Sequence, residues 1–340
     1  MHDTLTEDDL ALIHALQIRP RAAWSELAPI LDTKPATLAR RWDRISTSGL
    51  AWITAYPRHI VRSDTVTALV EVDCSFDRLD EVCRRLAADA RIATLEHAAR
   101  GRDLILTVLT PSMDDLSALL LDELPRIGGL RSTRTHVASQ IYSEGSRWRL
   151  DALAPSQISA LGAIDPQSGA PGGQAAGTIP ESGLPIAEAL ARDGRATAAE
   201  IGERIGRPAS TVRRQLGTLM RSGSLVFRCE VAQLRTRWPI AATWWCRVPS
   251  AERDPLVTAL RAEPRVRVCM ALTGPTNFLV TMWTSSLTDL MRAQERIEAL
   301  LAHGEIVDTS VILRTRKRMG WILHPDGRAT GEVVPLSSAR

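Results

Sequence analysis

Apolar residues at Leu10, Ile13, Ala15 and Leu16 recur at near-helical spacing and predict a helix over 6–18. Trp24, Leu27, Ala28 and Leu31 predict a second, shorter helix. A tight turn and a third helix over about 34–47 follow, with Pro35 near its start and Gly49 in the position after its end. The rhythm then changes. Residues 67–73 (TALVEVD) read as a strand, 76–88 as an amphipathic helix, and 91–98 and 104–109 as strands around an Arg100–Asp103 turn. A helix bearing Met113, Leu116, Leu119, Leu120 and Leu124 precedes a last strand over about 131–142. Three helices with a tight corner before the third predict a helix-turn-helix, and the order βαββαβ predicts a ferredoxin-like domain.

Shifting the chain against itself by 174 residues aligns 5–142 with 179–316 without a gap. Leu16 meets Leu190, Arg21 meets Arg195, Thr37 meets Thr211, Gly49 meets Gly223, Arg91 meets Arg265 and Asp115 meets Asp289. Apolar character persists where identity is lost, as at Leu27/Ile201 and Ile45/Leu219. A single register of this length marks a tandem duplication. At the corner before the third helix Gly206 supplies a permissive backbone, and Asp32, in the equivalent place, tolerates the left-handed region better than most residues. The expected fold class is α/β (α+β), two repeats of a winged helix-turn-helix domain followed by a ferredoxin-like domain. The boundaries read 1–58 and 64–142 for the first copy, 143–178 for a linker, and 179–234 and 238–318 for the second copy. A loose tail over 319–340 completes the reading. The linker's first half carries spaced apolar residues that suit a short helix, and its second half (DPQSGAPGGQAAGT) is rich in Gly and Pro.

Composition narrows function mainly by exclusion. A net charge of +3 on 340 residues is too small to argue for nucleic acid, so the placement of the charges must carry any such claim. No apolar run reaches the roughly 20 residues that span a bilayer, and the acidic start MHDTLTEDD is no secretory signal. The expectation is a cytoplasmic, nucleoid-associated protein without membrane contact. The five cysteines form no CxxC pair and have no histidine at metal-ligand spacing, so buried reduced thiols are expected and no metal or cofactor. No nucleophile elbow, phosphate loop or metal motif is present, which argues against an enzyme.

The segments LTEDDLALIHALQIRPRAAWSELA and LARDGRATAAEIGERIGRPASTVRRQLGTLMRSGSL resemble regulators of the leucine-responsive regulatory protein/AsnC family, and the α/β half resembles that family's ligand-sensing domain. The resemblance covers about 280 residues. It implies double-stranded DNA as partner, self-association through the α/β domains and often an amino-acid effector. Two departures stand out: the arginine four residues after the helix threonine is Arg41 in copy one but Gln215 in copy two. The family's glycine between the second and third strands is Gly274 in copy two but Arg100 in copy one. Members mostly carry one unit per chain, so the two joined units are expected to pair within one chain as a pseudo-dimer, or between chains in a homo-oligomer.

The candidate DNA contacts are Lys34, Thr37, Arg40, Arg41 and Arg44 in copy one, and Arg207, Ser210, Thr211, Arg213 and Arg214 in copy two. Their excess of positive charge suits phosphate and guanine contacts by a recognition helix. Arg41 and Arg44 stand opposite Gln215 and Thr218, which leads to the expectation of an asymmetric operator. The candidate effector residues are Gly274, Thr276 and Asn277, where backbone N–H groups meet a small carboxylate, and Arg100 and Asp103 in the partner turn. Trp24, Trp42 and Trp52 are expected in a core rather than stacked on bases, and the basic run 314–318 touches phosphates or protects a strand end. Related proteins include sirohaem decarboxylases. That alternative needs a tetrapyrrole pocket lined by His and Arg, for which His97 is the candidate histidine. A third alternative is an interaction module whose third helices are masked.

Overall fold

In the computed structural model, residues 4–61, 65–99, 101–164 and 179–336 are described. The first half carries α1 (Glu7–Ile18), α2 (Trp24–Leu27), α3 (Pro35–Thr47), β1 (Ala51–Pro57) and β2 (Val66–Cys74). It continues with α4 (Leu79–Ala88), β3 (Ile92–Ala98), β4 (Leu104–Thr110), α5 (Met113–Ser117) and β5 (Leu130–Ser143). After α6 (Pro155–Ile164) come α7 (Leu184–Arg192), α8 (Ala198–Ile205), α9 (Ala209–Arg221), β6 (Leu225–Val231) and β7 (Ile240–Arg247). The rest is α10 (Arg253–Ala262), β8 (Val266–Leu272), β9 (Phe278–Thr284), α11 (Leu287–Ala299) and β10 (Glu305–Arg318), then β11 (Trp321–Leu323) and β12 (Ala329–Val333). Both halves follow one order. The chain nevertheless divides across the repeats: one compact unit holds both helix trios with β1, β6, α6 and β12, and the other holds both βαββαβ halves with β11.

Local chemistry sets the helix ends. Thr6 caps α1 in a capping box with Asp9, and Thr197 caps α8 in one with Glu200. The corners before α3 and α9 are left-handed at Asp32 (φ 47°) and Gly206 (φ 68°), and the helices end at Gly49 (φ 71°) and Gly223 (φ 62°). Strands β1 and β6 lay outside the elements predicted from pattern. The reason is that Ala51-Trp52-Ile53-Thr54-Ala55-Tyr56 is buried on both faces and shows no alternation. The two strands pair antiparallel, Ala51 with Val231 through Pro57 with Leu225, so Thr54 lies opposite Arg228, its own duplicate. A pseudo-two-fold axis therefore passes between them. The end bonds obey it: Arg58 N–H donates to Ser224 O (2.7 Å) and Ala232 N–H to Leu50 O (2.8 Å).

Two arginines clasp the helix trios across that axis. Arg21 donates to Gly194 O and Ala196 O, and Arg195 donates to Pro20 O (2.7 Å) and Ala22 O (2.9 Å). Arg195 also lies 3.9 Å over the Trp24 ring, and Arg21 lies 5.5 Å over Phe227. The segment after Trp148 docks on the first trio. Gln17 Oε1 accepts from Leu150 N–H (2.7 Å), Arg19 Nε donates to Leu161 O (3.0 Å), and buried His14 accepts from Ala152 N–H. Burial, with Arg149 adding to it, pushes the His14 imidazole down to about 4, which keeps it a neutral acceptor.

In the second unit eight strands close into a ring, β10-β3-β4-β2-β5-β8-β9-β7 and back to β10. The period-2 alternation gives each strand two buried faces. On β2, Ala68, Val70 and Val72 pack beneath α4 and α5, while Leu69 joins Trp245, Met270, Leu272 and Leu279 in a core shared by both repeats. The long strands β5 and β10 each pair with β2 or β7 of their own half and then with β8 or β3 of the other. Ala138 lies opposite Leu272 and Ile312 opposite Ala98; Ser143 lies opposite Cys269 and Lys317 opposite Leu95. The registers coincide under the 174-residue shift, bulges included. The α/β halves thus pair within one chain.

The tail is not loose up to residue 336. Left-handed Met319 and Gly320 turn β10 into β11, and Trp321, Leu323, Val333 and Leu336 are buried, so apolar burial outweighs the weak periodicity. Its last four residues and the Gly/Pro-rich stretch 165–178 lie outside the described residues.

Candidate nucleic-acid interface

Helix α3 buries Leu38 and Ile45, and α9 buries Val212 and Leu219, which fixes the opposite faces toward solvent. Lys34 and Arg40 stand exposed on the first face, and Ser210, Arg213 and Arg214 on the second, with Thr37 and Thr211 half-buried in the first turns. The side chains of Lys34, Arg40, Arg213 and Arg214 have no acidic partner among the described residues. The α3 and α9 faces are not masked within their unit.

The remaining candidates are engaged internally. Arg44 pairs with Asp9 at 2.6 Å, and Arg41 with Asp8 at 2.9 Å and Asp9 at 3.6 Å. Asp9 is buried and also closes the α1 capping box, so both arginines tie α3 to the start of α1. Arg207 donates to Ser182 O at 2.6 Å, with Gln215 Oε1 at 3.4 Å. Copy two lacks the acids as well as the arginines: Ser182 and Gly183 replace Asp8 and Asp9 where Gln215 and Thr218 replace Arg41 and Arg44. The Arg41/Arg44 difference is therefore a matter of helix packing, and the differences between the exposed faces include Lys34 against Pro208 and Ala39 against Arg213. Of the three tryptophans expected in a core, Trp52 is buried in the strand pair, whereas Trp24 and Trp42 are half-buried.

In the α/β unit, Asp103 and Asn277 occupy duplicate positions and do the same structural work. Asp103 accepts from Cys74 N–H (2.7 Å), and Asn277 accepts from Val248 N–H (2.8 Å) and donates to Val248 O (3.1 Å). Both close the end of a neighbouring strand, which takes them out of the candidate effector set. Thr276 is buried, and Gly274 is left-handed (φ 108°) with His136 Nδ1 3.6 Å from where a Cβ would stand. Arg100 lies outside the described residues. His97 Nε2 accepts from Arg316 Nε (3.1 Å) and touches Cys83 Sγ (3.7 Å), so that nitrogen is already partnered. Of the basic run, Lys317 is buried with Nζ on Asp89 O (2.7 Å) and Arg316 pairs with Asp80, so neither protects an open edge.

Beside that turn lies a cluster that pattern reading missed. Glu71 meets Arg102 and Arg134 at 3.0 Å each through Oε2 and His136 at 3.0 Å through Oε1. Arg102 extends to Asp308 (2.5 Å) and Ser310 Oγ (2.5 Å), and its guanidinium lies 5.0 Å from the Trp245 ring centre. Burial pushes the Glu71 carboxyl up, but the His136 hydrogen bond and the two guanidiniums outweigh it and hold the group below its ordinary value. The available signal was a charge at Glu71 on the same strand face as Leu69.

All five cysteines are buried and free. Among the described residues no group of three or more His, Cys, Asp or Glu is placed to hold a metal ion, and no helix is long and apolar enough to cross a membrane.

Comparison with known proteins agrees with this division. Residues 67–148 match the Lrp/AsnC ligand binding domain, and residues 183–228 match the IclR helix-turn-helix domain. An uncharacterized HTH-type transcriptional regulator of Pyrococcus furiosus is 27% identical over 142 residues, 42% of this chain and 96% of that protein. A similar regulator of Pyrococcus horikoshii is 22% identical over 142 residues, 42% of this chain and 90% of its own length. Among solved structures, the siroheme decarboxylase NirDL bound to an iron-uroporphyrin III analogue is 14% identical with a TM-score of 0.55. It covers 89% of this chain and 92% of its own, a likeness of fold. The α/β half over 67–148 is thus similar to the Lrp/AsnC ligand binding domain, and the chain is similar to HTH-type transcriptional regulators. Its particular form carries two ferredoxin-like halves, already paired, in a single chain.

Proposed function

We propose that the protein is a sequence-specific DNA-binding transcriptional regulator. It is read as a tandem of two winged helix-turn-helix domains and two ligand-sensing domains, acting on double-stranded DNA in the cytoplasm. The observation that carries this is the selective exposure of arginine on the third helices. Where an acid is near, as at Asp8 and Asp9, the arginine is paired; Arg40, Arg213 and Arg214 face solvent with none. Unneutralised cations on the helix that follows a left-handed corner suit phosphate contacts. An amino acid or related metabolite bound near Gly274 and Thr276 is the effector in this reading, with the Gly274 backbone rather than Asn277 or Asp103 meeting the carboxylate. The likeness to siroheme decarboxylase is one of fold, and the Nε2 of His97, the candidate histidine of that alternative, is already taken by Arg316.

The test is binding to genomic fragments across a salt series. Each phosphate contact contributes about −0.9 to the log–log salt slope, so Arg40→Ala/Arg213→Ala/Arg214→Ala is expected to flatten the slope by up to about 2.7 and weaken binding at least tenfold. An unchanged slope and affinity contradict the assignment. If no member of an amino-acid panel changes the wild-type affinity, the effector part falls while the DNA part stands.

A further inference from the structure

The two third helices end alike but are held there by different parts of the chain. Under the 174-residue shift Gly49 matches Gly223, Leu50 matches Ser224 and Arg58 matches Ala232. The backbone bonds repeat: Ala232 N–H donates to Leu50 O (2.8 Å) and Arg58 N–H to Ser224 O (2.7 Å). The side chains do not. Arg58 Nε reaches on to Gly223 O (2.5 Å), whereas Ala232 has only a methyl group to offer Gly49. Strand β12 supplies what is missing there, since Ala329 N–H donates to Gly49 O (2.9 Å). The approach is so close that a Cβ on Gly49 would collide with the Ala329 carbonyl, while among the described residues no atom stands within 4 Å of a Cβ on Gly223. Farther along the strand, Val333 is buried and its carbonyl accepts from Arg192 Nη1 (3.2 Å) at the end of α7. The strand is therefore anchored on both helix trios, and all of these residues belong to the helical unit.

From these contacts we infer that Arg58 and β12 are the positioning elements of the two reading heads, Arg58 for α9 and β12 for α3. The inference rests on the DNA-binding reading given above. A helix end frays unless the turn that closes it is pinned, and a cation beside a helix C-terminus is favoured by the helix dipole. Each donor here grips the glycine that links a third helix to its strand, β1 or β6. It thereby fixes the angle at which the helix leaves the strand pair. Arg40 on α3 and Arg213 and Arg214 on α9 are carried by those helices, and contact with base edges depends on how the helix lies in the groove. The two braces differ in kind. Arg58 carries a charged donor from the first copy to the helix of the second. β12 offers the helix of the first copy a neutral backbone donor, from residues whose duplicates, 155–159, lie in helix α6. Each head can therefore be loosened without the other.

Residue-resolved hydrogen exchange on the full chain tests the braces, and duplex selection tests what they do. Ala329→Pro removes one donor and Arg58→Ala the other. Ala329→Pro is expected to speed exchange about tenfold at Gly49 and Leu50 and to leave Ser222 and Gly223 unchanged; Arg58→Ala is expected to do the reverse. With duplexes selected from a random pool, each variant is expected to lose about tenfold in base discrimination in one half of the consensus, a different half for each. A merely structural role weakens both halves together. Should Ala329→Pro fail to fold, Gly49→Ala and Gly223→Ala take its place. Both force alanine into a left-handed backbone, but only the first collides with β12, so Leu50 is expected to lose at least about fivefold more protection than Ser224. Exchange that rises at both helix ends in each variant, or at neither, overturns the inference, as does equal relaxation of both half-sites. If the wild type selects no duplex, the DNA-binding reading falls, and the exchange pattern alone decides whether the braces exist.

Discussion

Arg21→Ala/Arg195→Ala is expected to lower the thermal midpoint of the helical unit by about 15 °C. Each guanidinium donates to two carbonyls of the opposite trio, and the four acceptors, Pro20, Ala22, Gly194 and Ala196, lie in the tight turns before α2 and α8. Hydrogen bonds from a charged donor contribute about 1.5–3 kcal/mol each, and the ring contacts with Trp24 and Phe227 add to them. Backbone relaxation and water recover part of this, which leaves a loss on the order of 5 kcal/mol, or about 15 °C for a unit of this size. Lysine reaches only one carbonyl at a time and lacks the planar fork, so Arg→Lys at both sites is expected to recover less than half. Calorimetry that finds the double alanine variant within 2 °C of the wild type contradicts the clasp.

Glu71→Gln is expected to cost about as much as a broken buried ion pair, on the order of 3–5 kcal/mol and about 10 °C. The substitution leaves Arg102 with Asp308 and Arg134 with Asp73 as their remaining acidic partners. The effect depends on pH in a defined direction. The folded-state carboxyl of Glu71 lies below its ordinary value of 4.5, so its stabilisation is complete above that value and declines as pH falls through the folded-state value. The gap between wild type and variant is therefore widest at neutral pH and narrows in acid. A gap that is constant from pH 7 to pH 3, or absent, contradicts the role given to Glu71.

Much of the fold was legible because the duplication doubles every signal. The Asp32/Gly206 corner, the Gly49/Gly223 helix ends and the βαββαβ order each appear twice, and each reading holds in both copies. Elements buried on both faces were not legible. β1 and β6 lack alternation because each packs on both sides, and β11 is too short to show a period. The candidate site was half legible. Composition flags every arginine on a helix equally, and only three-dimensional placement separates Arg40 from Arg41 and Arg44, whose partners Asp8 and Asp9 lie more than thirty residues away in sequence. Asp103 and Asn277 show the same limit, since a polar side chain that caps a strand and one that meets a ligand look alike in sequence.

The helical unit joins two third helices, one bearing Arg40 and the other Arg213 and Arg214, around a single pseudo-two-fold axis. One chain should thus present two unlike reading heads to one stretch of duplex, each head contributing about 1–3 kcal/mol of discrimination per good base contact. The most direct measurement is the stoichiometry of the complex by native mass determination, using duplexes selected by the protein from a random pool. The account predicts one chain on one duplex with a non-palindromic consensus. Failure to enrich any sequence, or a complex that requires two chains on a perfect palindrome, contradicts it.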